Sequence, residues 1–177
     1  MKIPIGVLFG ALVLVPSSSY AAEAQVHACT LLTVGEIGSA AGGQVGPAQE
    51  SNITIPQGPS KDATMASCMW KLGASDMVSV SVIAAPQGAQ REATLADLKK
   101  VFDGLRAKGW TEDTRAIGNT KCASMAPPPS QKDAPRMSTC MAEAKGKALS
   151  LGSMSPTKQV AVEQLKALLD KAIARLP

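Results

Sequence analysis

Four cysteines, Cys29, Cys68, Cys122 and Cys140, follow a leader with the layout of an export signal. That combination constrains the fold more than any other feature. Residues 1 to 24 carry Lys2, an apolar run from Ile5 to Val15, then Pro16, three serines and a cluster of alanines, the three-part pattern of a secretory signal. The run is shorter than the ~20 residues a membrane-spanning helix needs, so the segment reads as cleaved. Small-x-small matches at Ser19-Tyr20-Ala21 and Ala22-Glu23-Ala24 place the cut between residues 21 and 25, leaving 25–177 as one domain. A lipidated Cys29 fits poorly, because it lies well beyond the apolar run.

A periplasmic or secreted chain with an even number of cysteines is expected to oxidise them. Three pairings are open. Local sequence recurs around two of the four: Met65-Ala66-Ser67-Cys68-Met69 and Met137-Ser138-Thr139-Cys140-Met141, each followed by a glycine suited to a hairpin turn. Each copy has one cysteine upstream, which favours Cys29 with Cys68 and Cys122 with Cys140.

Composition narrows the functional classes. Of 177 residues, 45% are hydrophobic and 18% charged, which fits a globular domain and not a disordered chain. Without residues 1 to 24 the chain keeps a formal charge of +4, because Lys2 and Glu23 leave together. No run of lysines or arginines forms a nucleic-acid footprint, and the remaining aromatics, Trp70, Phe102 and Trp110, are too few for base stacking. No second long apolar stretch predicts a transmembrane anchor. The expected partner is a protein or an envelope component.

Local patterns predict the elements. Thr33 to Glu36 is a capping box opening a short helix that ends at Gly42-Gly43. Residues 50 to 62 read as a loop, with an Asn52-Ile53-Thr54 glycan acceptor in it. Thr64 to Leu72 and Met77 to Val82 form a hairpin with Val78, Val80 and Val82 inward, and Arg136 to Glu143 with Lys147 to Gly152 form a second. Thr94 with Asp97 caps a helix whose Leu95, Leu98, Val101, Phe102 and Leu105 lie on one stripe, ending at Gly109. Residues 110 to 125 suggest one or two short strands. Ser155-Pro156 predicts the start of a long C-terminal helix with Val162, Leu165, Leu169, Ile173 and Leu176 on one face. The expected fold class is α+β, an antiparallel sheet built from two hairpins with helices packed on it, stabilised by disulfides.

The pattern Cys29-x-Leu31-Leu32-Thr33 followed by Cys68-x-Trp70 and an alternating valine strand resembles a family of bacterial exported proteins and lipoproteins of unknown function. The resemblance implies a PsbP- or Mog-like fold and a disulfide between Cys29 and Cys68. It supplies no activity, so function rests on sites.

His27 is the only histidine, and no phosphate loop, zinc spacing or dinucleotide fingerprint accompanies it, so an enzyme is not expected. The leading expectation is an exported, non-enzymatic accessory or binding protein acting through protein contacts, with no cofactor. A first alternative is periplasmic copper binding. Cleavage after Ala24 would put His27 third behind a free amine, a nitrogen set suited to Cu(II), while Met65, Met69, Met137 and Met141 offer soft sulfur for Cu(I). A second is a carrier of a small apolar ligand between the sheet and the long C-terminal helix.

Overall fold

The computed structural model describes residues 26–58, 61–85, 87–156 and 159–177, and the predicted signal segment lies outside them. Seven strands form one antiparallel sheet: β1 (Ala48–Thr54), β2 (Thr64–Lys71), β3 (Met77–Ala84), β4 (Thr111–Ile117), β5 (Thr120–Ala126), β6 (Arg136–Ala144) and β7 (Lys147–Ser155). Their order across the sheet is β1-β2-β3-β7-β6-β5-β4. The fold is α+β and disulfide-braced. Both expected hairpins are present, β2 with β3 and β6 with β7, but the sheet is larger than a pair of hairpins.

Side-chain alternation divides the sheet into two unlike faces. On the inner face Val80 lies opposite Leu151, Leu151 opposite Cys140, and Val78 and Val82 flank them on β3; all are at most 2% exposed. This face is covered by α1 (Val34–Ala41), by a 3-10 turn at Ala28–Thr30 and by α3 (Val162–Ala174). α3 buries Val162, Leu165, Leu168, Leu169 and Ala172 against β5, β6 and β7, a stripe at the helical period.

Both disulfides brace this inner layer. Cys122 and Cys140 are directly opposed on β5 and β6, with Cα atoms 4.1 Å apart. Cys29 to Cys68 ties the 3-10 turn to β2 with Cα atoms 4.9 Å apart. The pairing is the one favoured by the cysteine spacing.

Three boundaries differ from the sequence expectation. β1 occupies part of the expected loop. Every residue of it is exposed, so it carries no alternating signal and is held by its ladder to β2. The second helix, α2 (Gly88–Ala107), begins before Thr94. Ala89 to Ala93 are good helix formers, and Thr94 sits inside the helix with its hydroxyl donating to the Gln90 carbonyl. Ser155 closes β7 opposite Arg136 instead of capping a helix. α3 starts at Val162, where the Gln164 side chain accepts from the Ala161 N–H at 3.3 Å.

Glu36 joins the two ends of the described chain. It completes the capping box of α1, accepting from the Thr33 N–H at 2.9 Å. Its carboxylate also receives both Arg175 guanidinium nitrogens, at 2.7 and 2.9 Å, and Arg175 donates to the Leu31 carbonyl. The Arg175 hydrogen bonds, then the Thr33 N–H, hold the Glu36 carboxyl far below the usual carboxylate range.

In the chain-entropy model, closing separations of 39 and 18 residues contributes about 4 and 3 kcal/mol. Replacing Cys122 and Cys140 together by serine is expected to lower the thermal midpoint by roughly 6–12 °C at this chain length, measured by calorimetry. An unchanged midpoint would refute that role. Because Glu36 is depressed in the folded state, its contribution is complete above the unfolded carboxyl pKa and is lost as pH falls through the folded value. Urea midpoints measured between pH 6 and pH 3 are expected to fall more steeply for the native protein than for Glu36→Gln, and parallel curves would contradict the linkage.

Candidate functional site

The outer face of the sheet is built from different residues. Met65 and Met69 on β2, Met77 on β3, Met125 on β5, Met137 and Met141 on β6 and Met154 on β7 all have the phase opposite to the inward Cys68, Val78, Cys122, Cys140 and Ser153. Every methionine after Met1 therefore projects from the same face. Between them stand small residues, among them Ser79, Thr139 and Gly152, which pair in succession across β3, β7 and β6.

α2 lies over part of this face and leaves a cleft of about 310 Å³, near the small end of the roughly 300–1,000 Å³ range of ligand pockets. Its floor holds Met77, Met154, Met137 and Met125, and its roof is Val101, Phe102 and Leu105 from α2. None of the lining residues is charged. The small outer-face residues Ser79, Ala123, Thr139 and Gly152 leave room for the cleft, and the long methionine side chains give it an apolar surface that adapts its shape.

α2 is held lightly. Phe102 and Leu105 are half-buried, while Leu95 and Val101 are 49% and 59% exposed, so the expected apolar stripe is only partly covered. Two ion pairs tether its ends: Arg91 to Glu143 on β6 at 3.2 Å, and Arg106 to Glu112 on β4 at 2.9 Å. The Arg91 pair is exposed on both sides, and such surface pairs contribute about 0–1 kcal/mol; in the other, Glu112 is only 12% exposed.

The residues expected to bind metal do not converge. Met65 and Met69 lie on β2, Met137 and Met141 on β6, and β3 and β7 stand between them. Three strand spacings amount to about 14 Å, too far for thioethers to share an ion. His27 precedes the 3-10 turn, with Nδ1 3.5 Å from Glu50 Oε2. Glu50 lies opposite Cys68, so this pair belongs to the inner side of the sheet. The amine that would complete a copper site with His27 falls outside the described residues. Cys29, Cys68, Cys122 and Cys140 are all consumed in disulfides. Among the described residues no group of three or more His, Cys, Asp or Glu side chains is placed to hold a metal.

Met77, Met125 and Met154 carry no local signal as site residues. Their phase is readable, since each adjoins a residue of the buried set, but their alignment depends on β3 pairing with β7.

Fold and site together define a disulfide-braced α+β domain with an apolar, methionine-floored cleft beneath a lightly held helix. No family profile matches the chain, and no curated protein matches it. The fold is similar to that in the crystal structure of the extracellular domain of PknH from Mycobacterium tuberculosis, with a TM-score of 0.53 and 13% identity, covering 82% of this chain and 92% of that one. Among the described residues no helix is long and apolar enough to cross a membrane.

The unequal anchoring of the helices has a measurable consequence. Amide exchange in α2 is expected to be faster than in α3, because α3 buries five residues and α2 rests on a half-buried edge. Equal protection of the two helices in hydrogen-exchange mass spectrometry would show that α2 is not a separately opening element.

Proposed function

We propose that the protein is an exported, non-enzymatic binding domain that holds a small apolar ligand in the cleft between α2 and the sheet. The observation that carries this reading is the cleft lining, apolar throughout its methionine floor and α2 roof and without a charged or imidazole side chain. Such a surface gains free energy by burying hydrocarbon and lacks the acid–base groups that catalysis needs.

Export is supported by the leader, by two disulfides in a small domain, and by similarity of fold to a domain described as extracellular. The resemblance of the Cys29 and Cys68-x-Trp70 segments to bacterial exported proteins, and the PsbP- or Mog-like fold it implies, point the same way. The site of action is the periplasm or the medium, and the weakly tethered α2 is the element through which bound ligand would alter contacts with a protein partner.

Gly152 provides the test. It sits on the cleft floor, and a Cβ added there meets only Ser79 Oγ at 3.6 Å and the Ser138 carbonyl at 3.8 Å, both ordinary contacts. Gly152→Leu is therefore expected to fill the cleft without unfolding the sheet. Titration with the uncharged fluorophore phenylnaphthylamine should give saturable binding to the native protein and at least a tenfold weaker response, about 1.4 kcal/mol, for the variant. Equal binding by both, or none by the native protein, would discard this reading.

A further inference from the structure

The cleft floor contains an alignment that an apolar ligand does not require. Met77 on β3 lies opposite Met154 on β7, Met154 lies opposite Met137 on β6, and Met137 lies opposite Met125 on β5. Four consecutive strands thus contribute a methionine to one row. Directly opposed residues have Cβ atoms about 4.5–5.5 Å apart, and the unbranched methionine side chain, with three rotatable bonds, reaches across such a gap. Met154 is central, with Met77 on one side and Met137 on the other.

We propose that Met77, Met154 and Met137 form a thioether site for one soft monovalent cation, Cu(I), in the floor of the cleft. Thioether sulfur is a soft, uncharged ligand that favours Cu(I) over Zn²⁺, Mg²⁺ or Ca²⁺, which require imidazole, thiolate or oxygen donors. The lining offers no carboxylate, imidazole or thiol, and the cysteines are bonded on the inner side of the sheet. The three sulfurs stand on central strands, each paired on both sides, so the backbone of the site is fixed while the side chains adapt. Met77, Met137 and Met154 are half-buried in the cleft lining, whereas Met125, at the β5 end of the row, is 4% exposed. This site lies in the cleft but does not require an apolar ligand, and of the four methionines expected from sequence to bind metal it includes only Met137.

The experiment is titration of the disulfide-intact protein, labelled at the methionine methyl groups, with silver nitrate in chloride-free buffer, followed by NMR. Ag(I) stands in for Cu(I) without redox chemistry. The expected result is saturation at one equivalent, with the Met77, Met137 and Met154 methyl signals shifted and those of Met65, Met69 and Met141 unmoved. The variant carrying Met77→Leu, Met137→Leu and Met154→Leu keeps an apolar floor of similar volume. It should lose Ag(I) affinity by more than the roughly 10–100-fold that losing even an outer partner of a metal ligand costs, while still binding phenylnaphthylamine. Should the triple variant fail to fold, Met154→Leu alone is expected to lower affinity by about tenfold or more. X-ray absorption on the protein loaded with Cu(I) under anaerobic conditions should report sulfur-only coordination.

Absence of saturable binding, equal shifts of all seven methionines, or full Ag(I) affinity in the leucine variants would overturn the metal site. Fluorophore binding that survives in the triple variant leaves the apolar-ligand reading standing, and loss of fluorophore binding in Gly152→Leu with Ag(I) binding retained separates the two in the opposite direction.

Discussion

The ladder between β3 and β7 is the interaction on which the rest of the structure depends. It joins a meander of three strands, β1 to β3, to one of four, β4 to β7, and brings together residues such as Val80 and Leu151 that lie far apart in the chain. Eight residue pairs line it, from Met77 with Met154 to Ala84 with Lys147. Each meander alone would leave an apolar inner face half covered, since α3 lies on β5, β6 and β7 and the 3-10 turn on β1, β2 and β3. Their union yields one continuous core. The same union places Met77 beside Met154, so the cleft floor exists only once the long-range pairing has formed.

The disulfides stand on either side of this ladder in a related way. Cys68 is opposite Val80 and Cys140 is opposite Leu151, so one row runs Cys68, Val80, Leu151, Cys140, Cys122 across five strands. The recurring Met-x-x-Cys-Met segments occupy equivalent positions on β2 and β6, each one strand out from the joint. Their likeness in sequence reflects likeness of place in the sheet, and the separation that follows keeps their methionines apart. Loop closure entropy opposes a contact of such sequence separation, and covalent braces flanking the joint offset that cost by restricting the unfolded chain.

Features written in short stretches were legible from sequence. The capping box at Thr33 and Glu36, the valine alternation of β3, the apolar stripe of α3 and the two hairpins depend on neighbours within a few residues. Features set by distant partners were not. β1 has no buried residue and exists because β2 offers a ladder edge. Ser155 followed by proline has the form of a helix start, yet the ladder between β7 and β6 captures it as strand. Thr94 and Asp97 imitate a cap inside a helix that the preceding residues extend. The methionine phase could be read strand by strand, but the row formed by Met77, Met154, Met137 and Met125 requires the strand order, which no local pattern encodes.

The two faces differ in the kind of packing they allow, and that difference bears on function. Valine, leucine, tryptophan and bonded cysteine on the inner face have few rotamers and fill space closely beneath α3. Methionine on the outer face has many, and serine, threonine and glycine between the methionines leave volume unfilled. A helix laid on the first surface is locked; one laid on the second retains freedom, and among the described residues α2 is held there by half-buried Phe102 and Leu105 and by ion pairs to Glu143 and Glu112. Sheet stability is thereby separated from cleft shape, because the ladders and disulfides that define the backbone do not depend on what the methionine side chains contact. A binding surface of this construction changes its lining by rotamer shifts and its depth by movement of α2, while the Cα positions of the floor stay fixed by pairing on both sides.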